Sequence, residues 1–122
     1  NADRVHFWSI HDQENTFIGL IGLGDEMQLV HSHYNLGYWV RKEFRHRRIA
    51  SNAVDAVLHW LESRDSIFRI EITVHPRNEA GLITAERICH RWNGQIIDEF
   101  IGIELNGKTV PHKIHVVDLP RV

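Results

Sequence analysis

A chain of 122 residues, 43% hydrophobic and 25% charged, suits one globular domain over residues 1–122 and excludes a linker or low-complexity architecture. Fourteen Lys and Arg against sixteen Asp and Glu leave a formal charge of -2, too balanced for a surface built wholly for polyanions, so nucleic acid is not the expected partner. No apolar run approaches the ~20 residues of a membrane span, and Asn1, Asp3, Arg4 and His6 break up any signal-like stretch at the start. The single cysteine, Cys89, makes no internal disulfide, which fits a reducing compartment and an expected cytoplasmic location. The chain opens without methionine, as a mature or trimmed chain does.

Taken in order, Val5 to Ile10 has the aromatic and β-branched bias of a strand, and the polar Asp12-Gln13-Glu14-Asn15 turn links it to Phe17 to Leu23 as a hairpin. Gly19 and Gly22 in that second strand let another backbone come close. Leu36 to Val40 reads as a third strand, with Gly37 as a bulge or close-approach point. Arg41, Lys42, Arg45, Arg47 and Arg48 then place five cations in eight positions. The spacing of Ala50, Ala53, Val54, Val57, Leu58 and Leu61 predicts an amphipathic helix over 49–63. Phe68 to Val74 alternates with period two and ends before Pro76, so it is a strand. Asn78 is a good N-cap for a second helix that buries Leu82, Ala85, Ile88, Cys89 and Trp92 and ends at Asn93-Gly94. Gln95 to Leu105, an Asn106-Gly107 turn and Thr109 to Leu119 form a long hairpin. This order predicts an α/β (α+β) fold: a mixed sheet with parallel central strands and antiparallel flanks.

The junction from Tyr38 to Ser51 is where chemistry concentrates. Free amides at a helix start, the positive end of the helix dipole and nearby arginines make an anion site that a pyrophosphate would fit. The basic run by itself fits a solvated turn better than an anion site, so its spacing alone is weak evidence. Ten histidines raise the question of a metal, but His31-Ser32-His33 is the only close pair and two ligands without a third do not hold zinc, so no metal is expected. Cys89 reads as a small core residue. Tyr38, Trp39 and Trp60 are expected mostly in the core, whereas Trp8 and Trp92 fit either packing or an acceptor groove.

The stretch Gly37-Tyr38-Trp39-Val40-Arg41-Lys42-Glu43-Phe44-Arg45-His46-Arg47-Arg48-Ile49-Ala50-Ser51 resembles the acetyl-coenzyme A segment of the GNAT N-acetyltransferase superfamily, especially its RimJ/RimL-like branch. Arg45 and Ala50 match the two ends of that family's phosphate loop. The likeness continues through Arg69-Ile70-Glu71, Val74 to Asn78 and Glu86-Arg87-Ile88. It implies a GNAT-like acyl-CoA N-acyltransferase fold in which the third strand and the strand at Phe68 to Val74 splay apart around the pantetheine arm. It also implies transfer of acetyl from acetyl-coenzyme A to a primary amine, on a peptide or protein N-terminus or a small molecule, by direct attack in a ternary complex. Carried over, the backbone of Trp39 and Val40 holds the pantetheine and polarises the thioester. The loop Arg45, His46, Arg47, Arg48, Ile49, Ala50 and Ser51 cradles the pyrophosphate, and Asn78 bonds to the pantetheine arm.

The chain departs from the family pattern at several positions. The central loop glycine is Arg48 and another common glycine is His46; a frequent serine is Gly81, and the tyrosine that protonates the leaving thiolate falls on Ala85. For a base, Glu71 and His33 are the candidates, Asn35 standing where relatives often place an acid. The usual opening strand and helix pair, one wall of the acceptor site, is expected to be missing: trimmed away, supplied by a partner subunit, or absent from an open site. A homodimer is left open. Two alternatives to the enzyme stand beside it: a non-catalytic GNAT-fold module that binds coenzyme A or a partner, motivated by Arg48, Gly81 and Ala85, and a polyanion binder using Arg41 to Arg48.

Overall fold

The structure, a computed structural model, describes residues 5–25, 29, 31–64, 66–105 and 107–120, with side chains left out of the description at 98–105 and 108–111. Six strands form one sheet: β1 (His6–His11), β2 (Phe17–Gly24), β3 (Tyr34–Val40), β4 (Phe68–Val74), β5 (Gln95–Leu105) and β6 (Lys108–Leu119), in the order β1-β2-β3-β4-β6-β5. Only β3 and β4 run parallel; every other neighbouring pair is antiparallel. The mixed sheet expected from the order of elements is therefore present. At the first hairpin, Asp12 Oδ1 accepts the amides of Glu14 and Thr16 at 3.0 and 2.8 Å, and Asn15 takes a left-handed φ of 64°. These are the turn roles for which Asp and Asn are suited. β3 starts two residues before Leu36 because Tyr34 and Asn35 are the residues that pair with β4. In the long hairpin, Asn106 of the expected turn lies outside the described residues.

Two helices, α1 (Ile49–Glu62) and α2 (Glu79–Trp92), pack on one face of the sheet. Val54, Val57, Leu58 and Leu61 of α1 and Ala85, Ile88 and Trp92 of α2 meet Ile21, Leu23, Leu36, Ile70, Ile72, Val117 and Leu119 in a single core. Fully burying such side chains contributes about 1.5–3 kcal/mol each. The helices are also tied to each other. The buried Trp92 indole donates to Asp55 Oδ1 at 2.8 Å, and the other Asp55 oxygen pairs with Arg91. α2 begins as its sequence predicts, with Asn78 Oδ1 accepting the Gly81 amide at 3.0 Å.

The side-chain period of two sets which strand residues face the helices and which face away, and three expectations change, at Trp39, Trp60 and Gly37. Trp39 points away from the helices and is 47% exposed; Trp60, near the end of α1, is partly exposed as well, so neither is core. Of the two readings left open for Trp8 and Trp92, packing is the one seen: Trp92 is buried against α1, and Trp8 packs with His6 and Trp60 at the edge of the core. Gly37 is neither bulge nor close approach, since it pairs in register with Gly22 and a Cβ added there would meet nothing within 4 Å. Gly19 does have the expected role, because a Cβ there would lie 2.1 Å from the Trp39 carbonyl oxygen.

His115 of β6 lies opposite Ile72, fully buried on the helix face, and neither ring nitrogen has a hydrogen-bond partner among the described residues. Burial pushes its pKa below the ordinary imidazole value. Between that lowered pKa and the unfolded value near ~6.5, the unfolded chain binds more protons than the folded one, so stability falls as pH drops through this window. We expect His115→Leu to flatten the pH dependence of unfolding free energy between about pH 7 and 5, removing a slope of at most ~1.4 kcal/mol per pH unit. Urea titrations of both proteins across that range check this.

Candidate functional site

β3 and β4 pair only at Tyr34 with Ile70 and at Asn35 with Glu71. Beyond those residues β3 stays in register with β2 as far as Val40, and β4 stays in register with β6 as far as Val74. The two central strands therefore diverge, and a wedge opens between them from Leu36 onward. Which backbone groups face the wedge follows from alternation. The Arg41 amide donates to Ile18 on β2 at 2.7 Å, and the Trp39 carbonyl is turned onto Gly19 of the same strand. The N–H and C=O groups of Tyr38 and Val40 consequently point the other way, into the wedge. Of the two residues expected to offer backbone there, Val40 is so oriented and Trp39 is not, while Tyr38 also faces the wedge. Side-chain periodicity could not have revealed this, because it does not tell on which edge a strand's partner lies.

At the open end of the wedge the chain turns through a 3₁₀ segment, Lys42–Phe44, and enters α1. Arg45 Nε donates to the Val40 carbonyl at 3.0 Å, and Arg41 donates to the Phe17 carbonyl at 3.1 Å while pairing with Glu43 at 3.2 Å. The guanidinium carbons of Arg41 and Arg47 each lie 5.6 Å from the centre of the Phe44 ring. Part of the basic cluster thus fastens the loop, and Arg45 in particular is a latch. His46 and Arg48, which stand where the resemblance has glycines, both adopt left-handed backbone, with φ of 65° and 59°. The loop keeps the glycine-type geometry without glycine, at a cost of about 1–2 kcal/mol for each such residue.

Arg48 is the N-cap of α1 and makes no side-chain cap; the first helical bond runs from the Asn52 amide to the Arg48 carbonyl at 3.0 Å. The amides of Ile49, Ala50 and Ser51 therefore precede the first bond and carry the positive end of the helix dipole. The Ser51 hydroxyl, itself buried, donates to the Arg48 carbonyl at 3.2 Å. Among the described residues no carboxylate pairs with Arg47 or Arg48. This helix end can accept an anion with two or more oxygens.

The two candidate bases differ in setting. Glu71 is fully buried at the closed end of the wedge, on the sheet face away from the helices, and its carboxylate accepts from the Leu29 amide at 3.1 Å and from Asn35 Nδ2 at 3.3 Å. His33 is exposed and pinned to the start of β4, its Nδ1 accepting the Arg69 amide at 2.9 Å and its own amide donating to the Arg69 carbonyl at 2.8 Å. With Nδ1 occupied, a neutral His33 carries its proton on Nε2 and has no lone pair left to take another. Asn78 is exposed and uses Oδ1 as the α2 cap, leaving its Nδ2 as the donor for any further contact. Tyr38 projects to the helix side of the wedge, its hydroxyl reaching the Gly81 carbonyl at 3.4 Å. At the open end, the ring of His75 meets that of His112 at 5.3 Å and its Nδ1 accepts the Arg77 amide at 3.0 Å, shaping the passage from β4 to α2. Among the described residues no three His, Cys, Asp or Glu side chains come together as a metal site, and no helix is long and apolar enough to cross a membrane.

Comparison with known proteins follows the same lines. A solved structure of the ribosomal-protein alpha-N-acetyltransferase RimL shares 19% identity, covering 94% of this chain and 70% of its own, with a TM-score of 0.76. The spermidine N-acetyltransferase SpeG of Vibrio cholerae, in complex with CoA and spermine, matches 99% of this chain and 69% of its own at 13% identity and a TM-score of 0.77. An acetyl transferase of Salmonella typhimurium that modifies the N-terminal serine of a 50S ribosomal subunit protein matches at 20% identity, covering 94% of this chain and 64% of its own, with a TM-score of 0.77. At such identities these likenesses speak for the fold. Among curated proteins nothing matches. The family model described as an acetyltransferase (GNAT) domain matches residues 1–88, and the chain belongs to that family.

Proposed function

We propose that this protein transfers the acetyl group of acetyl-coenzyme A to a primary amine, by direct attack within a ternary complex. The observation that carries the reading is the meeting of two features at one place: a wedge where, among the described residues, the β4-facing edge of β3 has no strand partner beyond Asn35, and a helix start without a side-chain cap beside Arg47 and Arg48 at its mouth. A pantetheine arm extended along Tyr38 and Val40 would complete the β3 ladder, with its pyrophosphate on the amides of His46 to Ser51. The Tyr38 amide is then the donor nearest the thioester oxygen. A well-placed donor of that kind lowers the barrier by about 3–4 kcal/mol, and holding amine and thioester together contributes about 7–11 kcal/mol more.

The amine reaches the site mostly protonated at neutral pH and must lose a proton before it attacks. Glu71 is the base we favour over His33, because its carboxylate lies at the closed end of the wedge, whereas the His33 Nδ1 is engaged by the Arg69 amide. It acts directly or through a water. For the acceptor, the likeness to enzymes named for a ribosomal protein and for spermidine supports a peptide or small-molecule amine. A cytoplasmic setting and a homodimer are compatible with this reading and form part of the proposal only as such.

Isothermal titration with coenzyme A, followed by thiol release from acetyl-coenzyme A with an amine present, tests the assignment. Micromolar binding with turnover supports the enzyme; binding without turnover supports the non-catalytic module; salt-sensitive oligonucleotide binding in place of both supports a polyanion binder. We expect Glu71→Gln to lower kcat about 100-fold or more while leaving coenzyme A affinity within about twofold. Arg48→Gly is expected to raise the melting temperature by a few degrees, by relieving left-handed backbone, and to weaken coenzyme A binding about 3- to 10-fold through loss of a guanidinium–phosphate contact. Thermal melts and titration of the variant check both signs.

A further inference from the structure

Glu71 lies on the sheet face turned away from the helices, while α1, whose start forms the anion site, packs on the opposite face, so an amine that meets this base approaches from the uncovered side. On β3, Leu36 and Tyr38 join the core, and alternation turns Asn35, Gly37 and Trp39 outward. One row crosses this outer face from strand to strand: Phe7 opposite Gly22, and Gly22 opposite Gly37. The Phe7 ring leans over Gly22, where an added Cβ would lie 2.5 Å from Phe7 Cδ1. At Gly37 an added Cβ would meet no described atom within 4 Å. The first glycine of the pair is covered by an aromatic ring, and the second leaves a hollow. Phe7 bounds it on the β2 side, and Trp39 with its cross-strand neighbour Leu20 bounds it toward the wedge mouth; all three are exposed apolar side chains. At its other end, two residues back along β3 and so about 7 Å away, Asn35 Nδ2 donates to the Glu71 carboxylate at 3.3 Å.

We infer that the hollow over Gly37 is a specificity subsite for the acceptor, and that it takes an apolar or aromatic group carried a short carbon spacer away from the reacting amine. This subsite deepens the acetyl-transfer reading and rests on it. The two ends are complementary to such a molecule. The ammonium end meets the Glu71 carboxylate, directly or through a water, and the apolar end covers Phe7, Leu20 and Trp39 and removes their surface from water. A polycation such as spermidine fits less well. β2, β3 and β4 carry one carboxylate between them, Glu71, so the further charges of a polyamine would lie against an apolar surface without a partner on these strands.

Thiol release from acetyl-coenzyme A, followed with 2-phenylethylamine, ethylamine and spermidine as acceptors, tests the subsite. The wild-type kcat/KM for 2-phenylethylamine is expected to exceed that for either other amine about 10-fold or more. Gly37→Val puts two methyl groups in the hollow. No described atom stands there and valine suits a strand, so the variant is expected to melt at or above the wild-type temperature. Its ratio of kcat/KM for 2-phenylethylamine over ethylamine is expected to fall about 10-fold, through KM, with the coenzyme A Kd within about twofold. Trp39→Ala, which removes a wall instead of filling the hollow, is expected to lower the same ratio. A wild-type preference for spermidine, or a ratio unchanged in Gly37→Val, overturns the subsite and leaves acetyl transfer standing. Coenzyme A binding without thiol release from any of the three amines overturns the acetyl-transfer reading itself, and the subsite with it.

Discussion

Backbone amides and carbonyls need partners, and the rest of this site depends on one place where the fold withholds them. β3 and β4 are held together by two residue pairs and then part, each remaining bonded to its outer neighbour. Of the polar groups that β3 turns into the wedge, the Val40 carbonyl accepts from Arg45, and the others must be met by water or by something extended and strand-like. A pantetheine arm has amides at a spacing that suits such a row. The wedge is the consequence of sheet topology, not of any single side chain, so residues far from it can keep it open. Gly19 is one of them. A side chain there would collide with the Trp39 carbonyl and disturb the β2–β3 register that holds β3 away from β4.

The loop at the mouth shows how a family feature can persist after its usual residues are gone. Two left-handed positions, occupied here by His46 and Arg48, keep the backbone curled toward the start of α1. What makes the strained turn affordable is a set of local ties: Arg45 on the Val40 carbonyl, Arg41 on Phe17 and Glu43, and two guanidinium groups about Phe44. The electrostatic design divides four of the five cations by role. Arg41 and Arg45 hold the loop, while Arg47 and Arg48 add positive potential beside the free helix end.

Much of the architecture was legible in the amino-acid pattern. The stripe from Val54 to Leu61, the alternation from Phe68 to Val74 and the Asn78 cap each reflect a periodicity or a local hydrogen bond that operates within a few residues, and α1, β4 and α2 lie where these signals put them. Information that depends on the third dimension was not legible. Trp39 has an apolar side chain in a strand, yet it faces the side of the sheet that neither helix covers. Whether Trp39 or Tyr38 lends its backbone to the wedge turns on which neighbour each edge of β3 meets. His33 looked available as a base until its Nδ1 proved to be engaged with Arg69, thirty-six residues along the chain. Tyr38 packs against the core as expected, but the reach of its polar tip to α2 is a contact that no local pattern encodes.

The account is tested most directly by following the backbone amides of the folded protein by NMR while coenzyme A is added. It predicts saturable shifts of the Tyr38 and Val40 amides together with those of His46 to Ser51, and shifts of the loop amides alone when inorganic pyrophosphate is the titrant. Amides of the wedge and loop that stay unmoved at millimolar coenzyme A, or shifts confined to another part of the sheet, would contradict it.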